Sequence, residues 1–438
     1  MGFALTILYV VLTIISPTQL GPWAGEYRPM VALTTVIVVV SLPELLGHRN
    51  LWSSTQTFLL VGFTMAIAVS RATNGWLGGA VQSWLAFLPA VSLFFFIVAN
   101  VTTIRRLRIL MGAIVSSCLF VAVEAMCGYY AGFLGTTFIQ ERGVFVHDEF
   151  VSQFLQIRGM GVLNDPNDLA QILIVAMPLA FIFWRRHQLK TQLALALATS
   201  AVLLWAIYLT HSRGAIVGLA VLTLMALRNK LSTTLSIILA GAIVVAMLAL
   251  NFSGGRGISI NDGEDRLEAW SSGLQMFKSA PVFGVGYGAF SEHNNYLTAH
   301  NSLVLCLAEL GLVGSTIWVA LLVTTALELG SIVHPHTAEE TSDDESQTPP
   351  APGGRRRSLL PTHWVMAVYL GLISLIATSW FLSRSYSTTT FLVLGLATAT
   401  IAIHRSDDRT QDHRRWILFT MATEAAGILF IYVVVRLR

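Results

Sequence analysis

Charge is what this sequence has least of. Asp, Glu, Lys and Arg make up 12% of its 438 residues, about half the usual share for a globular protein. With 54% hydrophobic residues and a mean hydropathy of +0.67, that scarcity excludes a string of soluble domains, and the solvent of this chain is lipid. The formal net charge of +3 argues neither for nor against nucleic acid. Cysteine is equally sparse. Cys118, Cys127 and Cys306 all fall in apolar stretches, with no disulfide framework and no CxxC metal signature, so they read as packing residues. Strands of about 10 residues that alternate apolar with polar are absent, which excludes an outer-membrane barrel. Internal repeats and a DxD motif are missing too. The first apolar run lacks a basic leading region and an A-x-A cleavage site, so it reads as a retained helix and not a signal peptide.

What the sequence does have is apolar runs of roughly 18 to 25 residues, the length that crosses a hydrocarbon core of about 30 Å. They lie near 3–20, 29–46, 56–73, 76–100, 107–131, 167–184, 191–210, 214–227, 231–251, 301–330, 363–383, 387–403 and 416–435. Thirteen segments result, with twelve as an equal alternative. The pairs meeting at Asn74, Arg213 and Arg384 are open to reading as re-entrant or broken helices. The expected fold is all-α, a polytopic membrane protein of about 12 transmembrane helices. Four regions are expected: amino-terminal helices over 1–131, a membrane core over 132–330, a polar loop over 331–362 and carboxy-terminal helices over 363–438.

Cytoplasmic loops hold a surplus of Lys and Arg. With the amino terminus inside, the inner loops collect Arg49, Arg105, Arg106, Arg108, Arg185, Arg186, Lys190, Arg228, Lys230, Arg355 to Arg357, Arg405, Arg409, Arg414 and Arg415, which is 16 of 27 basic residues. The exception is the tail, where a thirteenth span leaves Arg436 and Arg438 outside. The stretch from 332 to 361 is acidic and Pro-rich before it turns basic, and reads as a disordered cytoplasmic loop. Two outer segments, 132–166 and 252–300, mix aromatics, glycines and charges and are expected to fold. The second is expected to form a large, partly helical outer loop, and chemistry is expected in these two segments.

Few charges remain on that outer side. Arg213, in HSRG at a junction between two runs, reads either as an interfacial snorkelling arginine or as an anion site. Arg266, in DGEDRLEAW, reads either as part of a solvated helical face paired to a carboxylate or as an anion ligand, with Asn261 or Asp262 able to cap its helix. Lys278, Arg256, Arg142 and Arg158 read as solvated. SAPVFGVGYGAF holds Tyr287 between glycines 284, 286 and 288. No strand precedes it to support a dinucleotide site, so the glycines let the backbone turn closely or re-enter the membrane. His300 opens the longest run, with Asn301 or Ser302 available as cap. At 100° per residue Gly311 and Gly314 share its stripe, where small residues let another helix approach. A helix N-terminus disfavours imidazolium, so a histidine there is a reasonable general base. GVLNDPNDLAQ has the grammar of a helix start, with Asn164 or Asp165 as cap and Pro166 in the first turn. Glu124, Glu309 and Glu424 lie in or near spans and are candidates for hydrogen bonding between helices.

His300, Asn301, nine residues, Gly311, two residues and Gly314 together resemble the H-[NSQ]-x9-G-x-x-[GTY] signature of the O-antigen ligase and O-antigen polymerase superfamily. The order of GVLNDPNDLA, SRG, DR-x3-W and PVFGVGYGAF before the histidine is also similar, and the resemblance runs from Arg158 to Gly314. It implies a bacterial inner-membrane glycosyltransferase of GT-C-like helical architecture, active on the periplasmic side, that moves a glycan from undecaprenyl diphosphate to an acceptor hydroxyl. The acceptor implied is a glycan or a lipid A core. No cofactor, metal or nucleic acid is implied, and membrane lipids are the surroundings. Carried over by position, His300 matches the family's proposed base, and Arg213 and Arg266 match the arginines proposed to bind the diphosphate. Asn301, Tyr287, Lys278 and Arg158 are the expected substrate contacts; Gly311, Gly314, Asn164 and Pro166 are the expected structural positions. Two arginines can neutralise a diphosphate by bidentate hydrogen bonds, which removes the need for Mg²⁺. The competing class is a transporter of lipid-linked glycans or anions, which more often shows inverted repeats and charges in both halves.

Overall fold

The computed structural model describes residues 1–16, 29–47, 49–52, 54–146, 149–183, 189–228, 230–250, 252, 260–294, 298–334, 361–404 and 413–437. Each of the thirteen apolar runs forms a helix, as it must where no water can satisfy the backbone. In chain order these are α1 (Gly2–Ile15), α2 (Pro29–Gly47), the single turn α3 (Arg49–Trp52), α4 (Thr55–Thr73), α5 (Leu77–Asn100) and α6 (Ile104–Ala131). They continue with α7 (Pro166–Leu179), α8 (Leu189–Leu209), α9 (Arg213–Leu227), α10 (Thr233–Ala249), the polar helix α11 (Ile260–Ser279) and the single turn α12 (Phe290–His293). The last four are α13 (Ser302–Val333), α14 (Thr362–Ser379), α15 (Thr388–His404) and α16 (His413–Arg436). Seven of them, within α4, α5, α6, α8, α13, α14 and α16, are long and apolar enough to cross a membrane by length and composition; the other six apolar helices are shorter. The chain is a multi-pass helical membrane protein. Of the acidic and basic loop expected over 332–361, residues 335–360 lie outside the described residues, while 332 and 333 close α13; Arg256 and the basic residues at 185, 186, 405, 409 and 438 also lie outside them.

The segment 132–166 departs from the all-α expectation. It holds an antiparallel hairpin, β1 (Ile139–Val146) and β2 (Glu149–Ile157), paired from Ile139 with Ile157 to Val146 with Glu149 and irregular between Val144 and Phe145. The Val, Phe and Ile content of both strands favours a sheet, but apolar and polar residues do not alternate cleanly, because both faces are used. Gln156 is buried, and its Nε2 donates to the Thr210 carbonyl at 2.6 Å. The Phe154 ring stands edge-on to His211, centroids 5.4 Å apart. The hairpin is thereby fastened to the α8–α9 junction.

Helix α13 is the axis of the bundle. Of its apolar window 78% is buried, against 22% for α16, and it packs on α4, α11, α14 and α16. Glu424 of α16 accepts from Ser315 Oγ (2.6 Å) and Thr316 Oγ1 (2.7 Å), joining α16 to α13 as expected of a carboxylate inside a bundle. Gly311 does not serve helix approach. Its φ of 63° and ψ of −162° break α13, and the turn at 281–286 fills the gap. Val285 and Gly286 donate to the carbonyls of Ala308 and Glu309, while Leu312 and Val313 donate to those of Pro281 and Val282. A helix break buried in the bundle is thus fully hydrogen-bonded by a second segment of backbone. A Cβ on Gly311 would sit 2.5 Å from the Val282 carbonyl carbon, in a left-handed conformation. Gly311→Ala is expected to cost at least about 3 kcal/mol, measured as a fall in the thermal unfolding temperature in detergent; an unchanged temperature would contradict this packing.

Candidate active site

The site is assembled on the eight-residue connection between α14 and α15, Trp380 to Ser387. Ser302, the first residue of α13, donates from Oγ to the Leu382 carbonyl (2.6 Å) and accepts from the Arg384 backbone N–H (2.8 Å). Ser385 Oγ donates to the Ser302 carbonyl (2.7 Å). Asn301 is the N-cap of α13, its Oδ1 accepting from Val304 N–H at 3.0 Å, and its amide donates to the Trp380 carbonyl at 3.0 Å. His300, half-buried, precedes this cap at φ 50°. A non-glycine residue in the left-handed region costs free energy and persists where its surroundings fix it; here the bonds of Asn301 and Ser302 fix it. Because α13 starts after His300 and breaks at Gly311, the histidine does not share a continuous helical stripe with Gly311 and Gly314. Gly314 faces Leu310 of its own helix.

Arg266 meets the same connection, and the chain next to Arg213 packs against it. The Arg266 guanidinium carbon lies 6.0 Å from the centroid of the Phe381 ring, a cation–π distance. A Cβ on Gly214, next to Arg213, would lie 3.7 Å from the Phe381 Cβ. Arg213 is the first residue of α9, and its N-cap Ser212 donates from Oγ to Asn167 Oδ1 at 2.7 Å. The tight entry follows from His211, at φ 49°, whose ring nitrogen is within hydrogen-bonding distance of the Phe252 carbonyl (3.1 Å). The Arg266 guanidinium and the residues that follow His300 and Arg213, far apart in sequence, thus lie against Trp380 and Phe381.

Sequence reasoning missed Arg384 and the acidic pair it holds. Its guanidinium lies 3.6 Å from Asp165 and pairs closely with Asp168. Asp165 caps α7, accepting from Asn167 N–H at 2.8 Å, with Pro166 at the first helical position; Asn164 instead ends the 3-10 turn Gly161–Leu163. Gln171, one turn further on, donates to Thr378 Oγ1 at 2.7 Å. The NDPND segment is therefore locked to the same connection. The Asp168 side chain is only 14% exposed, so removing its partner leaves a buried charge. Arg384→Ala is expected to cost about 3 kcal/mol, read by thermal unfolding in detergent, with most of the loss recovered in Arg384→Ala/Asp168→Asn. An equal loss in both variants would count against the pairing.

Of the other expected substrate contacts, Lys278 and Arg158 sit elsewhere, and Tyr287 meets the connection at Tyr386. Lys278 is 120° around α11 from Arg266 at 100° per residue, and its Nζ lies 5.9 Å from the Tyr432 ring of α16. Arg158 closes the base of the hairpin, its Nε donating to the Thr137 carbonyl at 3.2 Å. Tyr287 turns inward. Its backbone accepts from Arg71 Nε (2.6 Å) and donates to Ser70 Oγ (3.1 Å), and its ring stands 4.7 Å from that of Tyr386. Burial, with the nearby Glu309 carboxylate, pushes the Tyr287 phenol up to about 12, so it stays protonated. Asn74 Nδ2 donates to the Gly284 carbonyl at 2.9 Å. Each of the three chain interruptions at Asn74, Arg213 and Arg384 is a short turn between separate helices, and all three reach this end of the bundle.

The fold is that of a multi-pass helical membrane protein in which the Arg266 guanidinium and the chain beside His300 and Arg213 meet one connection between helices. Residues 198–319 match the family model described as O-antigen ligase, so this stretch of the chain is similar to that family. The matched stretch contains Arg213, Arg266, His300, Gly311 and Gly314. It excludes the NDPND segment and Arg384, which the structure joins to it. Comparison with curated proteins returned no match.

Proposed function

We propose that the protein transfers an oligo- or polysaccharide from undecaprenyl diphosphate to an acceptor hydroxyl, a glycan or a lipid A core, on the periplasmic side of the bacterial inner membrane. The observation that supports this reading is that Arg266, Asn301 next to His300 and Gly214 next to Arg213 all meet the Trp380–Phe381 connection. Diphosphate leaves readily once its charge is neutralised, and two guanidinium groups present donors in the fork geometry that matches phosphate. Neutral His300 takes the proton of the acceptor hydroxyl as its oxygen attacks the anomeric carbon. Attack from the face opposite the diphosphate inverts that carbon in one displacement. With both negative charges met by arginine, transfer is expected to keep its rate in excess EDTA, checked by product formation in proteoliposomes; a rate abolished by EDTA and restored by Mg²⁺ would count against this division of labour.

The test of the reading is reconstitution of the full chain with a defined undecaprenyl-diphosphate oligosaccharide and competing acceptors. Growth of the oligosaccharide identifies a polymerase, and single transfer to a different acceptor a ligase. No product with any acceptor, from protein that remains folded, overturns it.

A further inference from the structure

Helix α11 presents two opposite faces. Arg266, Trp270, Gly273 and Phe277 fall within about 60° of one another at 100° per residue. This face is turned to the candidate active site, with Trp270 buried and Gly273 against Val304 and Phe290. Ser271, Gln275 and Lys278 fall on the other side. Together with Leu274 they line a groove of about 200 Å³ closed by Tyr432, Val435 and Arg436 of α16. Among the described residues, the groove therefore holds two cations from two different helices and no carboxylate, along with neutral groups that donate hydrogen bonds.

Two cations brought to one groove repel each other unless an anion lies between them. The wall beside them is apolar and outward-facing: Leu429, Phe430, Val433 and Leu437 are all exposed large side chains on the same end of α16. We propose that this groove binds the phosphate of a membrane lipid, with the headgroup between Lys278 and Arg436 and the acyl chains along the exposed face of α16. Lys and Arg beside an apolar surface are the residues that hold anionic lipid headgroups. Its cations lie on the face of α11 away from Arg266, its wall meets the candidate active site where the Phe430 ring stands 5.8 Å from that of Trp380, and it stands whether or not the proposed transfer is correct. It also gives a role to Arg436, whose place outside the membrane breaks the charge rule that orients the rest of the chain.

The experiment is native mass spectrometry of the detergent-purified full chain with added dioleoyl phosphatidylglycerol. Wild-type protein is expected to retain the lipid and Lys278→Gln/Arg436→Gln to retain it about tenfold less, the loss expected when two charge-assisted contacts go. Lys278→Arg/Arg436→Lys, which keeps both charges, is expected to retain it. Equal retention by wild type and the Gln variant overturns the proposal. Displacement of the lipid by glycerol 3-phosphate at equal concentration assigns the groove to a soluble phosphate and overturns its assignment to a lipid.

Discussion

Replacing His300 by alanine is expected to lower the rate of glycan transfer by a factor of about 10² to 10⁴, the usual contribution of a positioned base, with the protein still inserted and folded. The backbone at this position supplies a sharper control. At φ 50° asparagine is the residue that most readily replaces histidine without new strain, and it cannot take a proton. His300→Asn is therefore expected to unfold at the wild-type temperature and to be as inactive as His300→Ala. If His300→Asn transfers glycan at more than about a tenth of the wild-type rate, well above the residue left by losing a base, proton removal by this histidine is not part of the reaction.

The second large effect is expected at the arginines. Removing a preorganised donor from developing negative charge costs about 10² to 10³ in rate, so Arg266→Ala and Arg213→Ala are each expected to fall in that range. Lysine keeps the charge but not the fork, so Arg266→Lys is expected to recover part of the activity and not all of it. Arg266 also leans on Phe381 at 6.0 Å. Phe381→Leu is accordingly expected to lower transfer less than Arg266→Ala while leaving the other arginine in place. Measured side by side in proteoliposomes, equal and wild-type rates for both arginine variants would remove the diphosphate site from the mechanism.

Most of the helical framework was legible in the sequence because lipid imposes a simple rule: every apolar run long enough to matter becomes a helix. Capping was legible too, since Asn301 and Asp165 are short polar side chains placed where free backbone donors need them. The sequence was silent on the Trp380–Ser387 connection. Arg384 and Phe381 lie about 80 residues beyond His300 and more than 160 beyond Arg213, and nothing local marks them except a break between two apolar runs. The hairpin at 139–157 was missed because both of its faces carry apolar residues, so no period of two appears. Gly311 was seen as important for the wrong reason. The stripe it shares with Gly314 follows from helical periodicity, but the left-handed break that actually requires glycine depends on the turn at 281–286 inserting beside it.

The pairing of NDPND with Arg384 carries a further lesson about extent. The family match stops at residue 319 and begins at residue 198, yet the site draws on Asp165 and Asp168 before it and on the α14–α15 connection after it. Lys278 shows the converse: it lies inside the match, on the same helix as Arg266, and faces the other way. Position on a helix face, set by 100° per residue, decides which charges can cooperate.

The central claim is a single displacement in which His300 activates the acceptor opposite a diphosphate held by Arg213 and Arg266. Its most direct test is the anomeric configuration of the linkage formed by the reconstituted protein from a donor of known configuration, read by NMR coupling constants. The account predicts inversion. Retention of configuration would contradict it, because retention requires a second displacement and a nucleophile for which this mechanism has no place.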